Sequence, residues 1–332
     1  MASMPPPIAH ETWFEHGTRG DWGFAGETAT LLLLAGAVAI VLAVRVAGRF
    51  WNGADVPLLA RLAPWMPFAL RIHLAVSLIG LLSMGDYLSP AMELDSDVAG
   101  IVLGAQMAVV AVAMVVGYRV REAAWLLVLL GPVGMLEFGV VPVLARLDLL
   151  GLAAFLIVSG PGAWSADDEL GRLRRPSAAE LARAVWALKL CVGGALIVVA
   201  FQEKLANPQL ALDFLAERPE FNVAESLLGL GWSDLTFTRV AGAIEVLFGL
   251  LVISGRLPQL CVVAAGIPFN ATLWFFGTTE LVGHLPVYGA MLTLLVLGSH
   301  PELRPAVGAL WPFGRSFAER YPAAPAASAT RL

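Results

Sequence analysis

The sequence predicts an all-α, polytopic integral membrane protein with about nine transmembrane helices: one extra N-terminal helix followed by two parallel four-helix repeats. Three observations carry this expectation. Of the 332 residues, 58% are hydrophobic and 14% charged, against roughly 45–50% apolar and about 25% charged in a soluble domain. Apolar stretches recur along the chain at spanning length, ~20 residues for a helix. Arginine and lysine fall alternately by side when nine spans are drawn through those stretches.

In chain order, residues 1–26 form a polar, acidic segment without the basic start and early apolar core of a signal peptide. His10, Glu11, Glu15 and His16 fall short of HExxH because Phe14 stands at the second histidine position, so a solvated head is expected. The spans are then Glu27–Arg45, Pro64–Ser83, Val98–Gly117, Ala123–Leu144, Leu147–Ser159, Leu181–Phe201, Phe237–Ser254, Leu257–Phe276 and Leu285–Gly298. With the N-terminus outside, the inner loops and tail hold fourteen cations: Arg45, Arg49, Arg61, Arg119, Arg121, Arg172, Arg174, Arg175, Arg183, Arg256, Arg304, Arg315, Arg320 and Arg331. The outer side holds four: Arg19, Arg146, Lys204 and Arg218. That bias orients the chain in a cell membrane with the N-terminus outside and the C-terminus in the cytoplasm. Arg71 and Lys189 lie within spans and are expected to snorkel to the inner interface.

The loops carry their own signals. Gly160-Pro161-Gly162 stops the fifth span, Ser165 with Asp168 fits a capping box for a short helix, and Ser177 with Glu180 fits a second box opening the sixth span. Asn207-Pro208 is expected to cap and start a helix in the long outer connection, residues 202–236. From Tyr321 the Pro/Ala-rich end reads as a disordered cytoplasmic tail within residues 301–332. Cys191 and Cys261 lack CxxC spacing and are expected as small buried hydrophobes. No basic run argues for nucleic acid, and no haem-ligand pair, iron–sulfur cysteine set or dinucleotide fingerprint is present.

The second to fifth spans echo the sixth to ninth. The stretch from Arg71 lies over that from Lys189, Leu103 onward over Ala241 onward with Gly104 on Gly242 and Gly117 on Gly255, and Leu147 onward over His284 onward. Each unit has an even number of spans, so the two share one orientation about an axis along the membrane normal. The resulting division is 27–62 for the first helix and its loop, 63–175 for repeat one and 176–300 for repeat two.

Three stretches carry a family resemblance: EKLANP at Glu203–Pro208, GAIEVLFGLLVISGR at Gly242–Arg256, and GPGAWSADDEL at Gly160–Leu170, similar to GPG-x-x-S-x-D. On these the chain resembles the DoxX/DoxD-like superfamily of four-helix membrane proteins from about Arg71 to Gly298. Repeat one departs from the pattern with Asp86 at the family's lysine and Gln106 or Met107 near its glutamate; repeat two ends in GSHPEL. The resemblance implies a link to thiosulfate:quinone oxidoreductase systems or to membrane complexes handling thiol stress. More distantly it touches the vitamin K-dependent carboxylases.

Glu245 lies mid-span, with Gly242 and Gly249 on its helix face. A carboxylate at mid-bilayer costs ~2.5–3.5 kcal/mol, so it is expected to face a packed interior reached by close helix approach. An outward-opening polar cavity is therefore expected, lined by Glu245, Lys204, His284 and Asn270, with Glu137 from repeat one. Glu245 would exchange a proton, Lys204 would stabilise an anion and His284 would relay protons outward. Asn270 and Gln106 are candidates for holding a quinone or other small ligand. An Asp86–Lys204 pair is expected to join the repeats, since both occupy one repeat position with opposite charge. The functional expectation is a subunit of a quinone-linked sulfur or thiol redox system working with a redox partner protein in the lipid bilayer. The alternative is a non-enzymatic carrier or scaffold. Two units in one chain favour a monomer.

Overall fold

In the computed structural model, residues 20–174 and 176–313 are described, with backbone alone for Thr272 and residues 274–279. The His/Glu head, Arg19, Arg175 and the Pro/Ala-rich tail with Arg315, Arg320 and Arg331 lie outside them. The regular elements among the described residues are all helical. The main ones are α1 (Thr28–Phe50), α2 (Met66–Met84), α3 (Val98–Val116), α4 (Val120–Phe138), α5 (Leu147–Ser159), α6 (Ala178–Ala200), α7 (Pro208–Glu217), α8 (Asp234–Ser254) and α9 (Pro258–Ser299). Among the described residues, six helices are long and apolar enough to cross a membrane: Thr28–Phe50, Pro57–Met84, Val98–Val116, Ala178–Leu205, Asp234–Ser254 and Glu280–Ser299. This is the make-up of a multi-pass α-helical membrane protein. The other three predicted spans correspond to α4, α5 and the first arm of α9, which are shorter or less apolar.

Local chemistry sets the helix ends. Asp97 accepts from Gly100 N–H at 2.8 Å to open α3. The Ser177/Glu180 capping box opens α6 as predicted. Gly85, Gly117 and Gly255 close α2, α3 and α8 in left-handed conformation. Three expectations shift. The fourth span breaks at Gly139 (φ 88°), leaving Val140–Leu144 as a separate turn. The short helix after Ser165 is only Ala166–Glu169, with Ser165 Oγ accepting from Asp168 N–H at 3.2 Å. Asn207 precedes α7 without capping it; its Nδ2 donates instead to the Gln202 carbonyl at 2.8 Å.

The largest difference is at α9. The sequence predicts two spans with a loop between them, whereas the backbone is helical over 42 residues. A straight helix of that length would reach ~63 Å. Yet Gln259 Nε2 donates to the Gly298 carbonyl at 3.3 Å, and the rings of Phe269 and His284 lie 4.9 Å apart. The helix therefore doubles back between Phe269 and His284. Pro268 and Pro286, each lacking a helical N–H, flank the reversal. The two arms run antiparallel, as two predicted spans would.

Neighbouring helices pack in the order α2–α3–α4–α5 and, through α6, on to α8; α1 lies along α8. Two further interfaces join the halves: α5 against α6, and α2 against the second arm of α9. At the latter, Ser77 Oγ donates to the Val282 carbonyl at 2.8 Å. The α6–α8 crossing is set by glycine. A Cβ on Gly249 would lie 2.6 Å from the Gly193 carbonyl oxygen, and one on Gly242 would lie 2.7 Å from Leu205. Small residues here let the two backbones touch, which is the close approach the sequence predicts around Glu245.

Arg71 and Lys189 do not snorkel. Arg71 is fully buried and donates to the carbonyls of Met114, Val115 (2.8 Å), Pro161 (3.2 Å), Ala163 (3.4 Å) and Trp164 (2.9 Å). Lys189 is equally buried and donates to Val307 (2.5 Å) and Ala309 (3.0 Å). Backbone carbonyls left open at helix ends and loops satisfy each charge locally, so neither chain has to extend to water. The glycine-proline-glycine stretch thereby becomes a cradle for Arg71. Asp167 just beyond it accepts from the Arg119 and Val120 N–H groups at 3.0 and 3.1 Å and caps α4.

Gly249→Ala should cost about 1–3 kcal/mol through overpacking. Gly36→Ala, where an added Cβ meets nothing within 4 Å, should leave stability unchanged or slightly raised. Thermal unfolding of both variants in one detergent provides the comparison.

Candidate functional site

The site begins where α6 loosens. Its last residues, Phe201–Leu205, form a single π-helical turn. Such wide turns swing side chains out of the regular helical register. Here the turn directs both Glu203 and Lys204 at α8. Lys204 Nζ lies 3.2 Å from Glu203 Oε2 and 3.0 Å from Glu245 Oε1. Gly242, one turn before Glu245, is what lets the Lys204 stem approach: a Cβ there would lie 3.2 Å from Lys204 Cβ. Of the three side chains, Glu245 is the most open at 32% exposure, against 12% for Lys204 and 8% for Glu203. Glu245 Oε2 has no hydrogen-bond partner among the described residues.

This cluster forms one side of a cavity of about 480 Å³. The walls are mainly apolar, with Leu196, Val199, Val240, Ile244, Phe248, Phe269 and Val287 among them. Two more polar pairs reach it. Arg146 Nη2 lies 3.5 Å from Asp148 Oδ2 at the start of α5, and Arg146 also donates to the Gly283 carbonyl at 3.2 Å. His284 Nδ1 lies 3.4 Å from Glu280 Oε1 on the second arm of α9, one turn apart. Arg146, Asp148, Glu203 and Glu280 are all buried. The connection from α7 to α8 roofs the cavity with Val223, Ala224, Leu228, Leu230 and Trp232.

Of the residues singled out in the sequence, Glu245 and His284 line this cavity, and Lys204 is ion-paired to Glu203 and Glu245 of its wall. Three do not. Asn270 lies in a separate groove between the arms of α9, about 510 Å³ in volume, where its Nδ2 donates to the Gly266 carbonyl at 2.6 Å. The reversal of α9 turns that face away from α8. Glu137 is exposed at the end of α4, where the break at Gly139 leaves it outside the bundle. Gln106 is half-buried on α3 and does not line the cavity. Where the sequence suggests an Asp86–Lys204 pair, Lys204 lies against Glu203 and Glu245. Cys261 is buried and Cys191 half-buried, both as free thiols.

Sequence reasoning passed over Arg146, Asp148, Glu203 and Glu280 as site residues. The i, i+4 spacing of Glu280 and His284 signals a shared helix face. Glu203 sits beside Lys204, so only a regular helix would turn them apart, and the π turn removes that rule. Arg146 and Asp148 carry no such signal, because they reach the cavity only through the α5–α6 packing.

The arrangement can do limited, definite chemistry. Lys204 supplies a fixed positive charge. Glu245 has a carboxylate oxygen free to take a hydrogen bond or a proton from a cavity ligand. His284 is a second proton-exchanging group on another wall. No family model, curated protein or solved structure matches the chain.

Removing the Lys204 charge strands two carboxylates in an apolar setting. Lys204→Met should cost about 3–5 kcal/mol. Adding Glu245→Gln should recover part of the loss, with a coupling of about 1–3 kcal/mol in a double-mutant cycle read by thermal unfolding. Strict additivity would show that the ion pair contributes nothing.

Proposed function

We propose that this chain is a nine-span, DoxX-like membrane protein that binds a lipophilic quinone in the α6–α8–α9 cavity, as a subunit of a quinone-linked sulfur or thiol redox system. The observation that carries the reading is the cavity itself: an apolar chamber of about 480 Å³ with proton-exchanging side chains on two walls. Its volume is in the range of small-molecule sites, roughly 300–1,000 Å³. The apolar walls suit a ring and prenyl tail, and Glu245 and His284 suit the oxygens of the ring. A bound quinone supplies a two-electron, two-proton couple. Lys204 would hold negative charge near one ring oxygen, Glu245 would hold or release a proton there, and Phe248 and Phe269 would exclude water. Electrons come from a partner redox protein or directly from the sulfur substrate.

The nine-span count gains support from the course of α9, whose two arms run antiparallel. The tandem repeat gains support from the two cross-interfaces, α5 with α6 and α2 with the second arm of α9. Each joins the first helix of one unit to the last of the other, as a twofold axis along the membrane normal requires. The orientation, with the cavity end outside and the arginine-rich end in the cytoplasm, rests on the charge bias.

Purification in mild detergent, followed by extraction and mass spectrometry of bound small molecules and proteins, tests the reading. Near-stoichiometric quinone is expected. A short-chain quinone should bind Glu245→Gln at least tenfold more weakly than the parent, about 1.4 kcal/mol. Bulk phospholipid with neither quinone nor partner would instead favour a carrier or scaffold.

A further inference from the structure

The connection from α7 to α8 is a built structure. Asn222, 3% exposed, ties its two ends together: Nδ2 donates to the Trp232 carbonyl at 3.0 Å and to Asp234 Oδ1 at 2.8 Å, and Oδ1 accepts from Glu225 N–H at 3.3 Å. Ser226 Oγ donates to the Glu220 carbonyl at 2.9 Å and closes a second turn. The charged residues collect on the early part: Arg218 pairs with Glu220 at 2.7 Å, and Glu225 is exposed.

The later part is the reverse. Leu227, Leu228 and Leu230 are 78%, 63% and 52% exposed. Leu228 and Leu230 also line the cavity, but Leu227 does not, so its exposure is entirely outward. Gly229 and Gly231 take left-handed φ of 59° and 66°, conformations that cost little only for glycine. The apolar run leads within four residues into α8, where Leu235 stands open at the first turn, and α8 is one of the six described helices apolar enough to cross a membrane. Water on one edge and hydrocarbon on the other is the character of an interfacial segment.

We infer that this connection lies in the adjoining bilayer leaflet, with Leu227, Leu228 and Leu230 among the phospholipid acyl chains, and that a lipophilic ligand reaches the cavity laterally from the bilayer past these leucines. The occupant of the patch is lipid because the patch leads directly into a helix long and apolar enough to cross the membrane. Leu228 and Leu230 belong to the outer surface and to the cavity roof at once, with Leu227 beside them on the outer side, so one barrier of apolar side chains separates the membrane from the chamber. The lateral route rests on the ligand-binding reading above; the placement of the leucines does not.

Spin labels on single cysteines test the placement. Leu227→Cys and Leu230→Cys, in a Cys191→Ala/Cys261→Ala background reconstituted in phosphatidylcholine liposomes, should collide more with dissolved oxygen than with a water-soluble nickel chelate. Glu220→Cys should show the opposite order. Preference for the nickel chelate at 227 and 230 overturns the placement. Shielding from both reagents also overturns it and points to a second copy of the chain over the patch. The route is tested by uptake. Leu227→Arg should slow binding of a long-chain quinone presented in liposomes at least tenfold, while a water-soluble short-chain quinone binds as to the parent. Equal slowing of both, or of neither, overturns the lateral route. Failure of every quinone to bind the parent overturns the ligand reading and leaves the spin-label result standing.

Discussion

The contact on which the site depends is the backbone approach of α6 and α8 at Gly193 and Gly249. Two helices that touch through glycine have little freedom to slide or rotate, because every larger side chain would be forced against a carbonyl. That crossing fixes the register between Glu245, one turn before Gly249, and the end of α6. The π turn then adds the last adjustment, swinging Lys204 to within 3.0 Å of Glu245. Three charges in an apolar bundle are tolerable only because they are held this close together. A looser crossing would leave each to seek water alone.

Much of the helical frame was legible in the sequence, since span length, capping residues and terminal glycines are local signals. The Ser177/Glu180 box and the ends at Gly85, Gly117 and Gly255 follow from two or three neighbouring residues. The reversal at α9 was legible as a loop between two spans, but its helical course was not, because helical backbone continues through residues that read as a polar loop. The site was legible where charge stood out against hydrocarbon, as for Glu245, Lys204 and His284. It was not legible for Arg146 and Asp148, which depend on how α5 meets α6. Asn270 and Glu137 misled for the same reason. Depth along the membrane can be estimated from position in a span, but the direction a side chain faces requires knowledge of the neighbours.

The arginine-rich end follows a different logic from the cavity end. There the buried cations have carbonyls for partners, not carboxylates. Arg71 and Lys189 occupy matching places on α2 and α6, beside Gly117 and Gly255 respectively: a Cβ on either glycine would fall within 3.0 Å of the cation's nitrogen. Both glycines are followed two residues later by a positive φ, at Arg119 and Leu257. Two loops of unlike sequence thus share one backbone course, each organised around a buried charge. Constraint at one end of the bundle leaves the other end free to vary, and the cavity is found where the charges are paired asymmetrically.

The two buried cations differ in when their partners exist. The carbonyls that receive Arg71 lie between Met114 and Trp164, so the first half of the chain can satisfy that charge from its own residues. Those that receive Lys189 lie at Val307 and Ala309, 118 and 120 residues downstream. During synthesis α6 therefore carries an unmet ammonium through the making of α7, α8 and both arms of α9. The segment just after α9 is therefore what receives the Lys189 side chain of α6 and ties the two together.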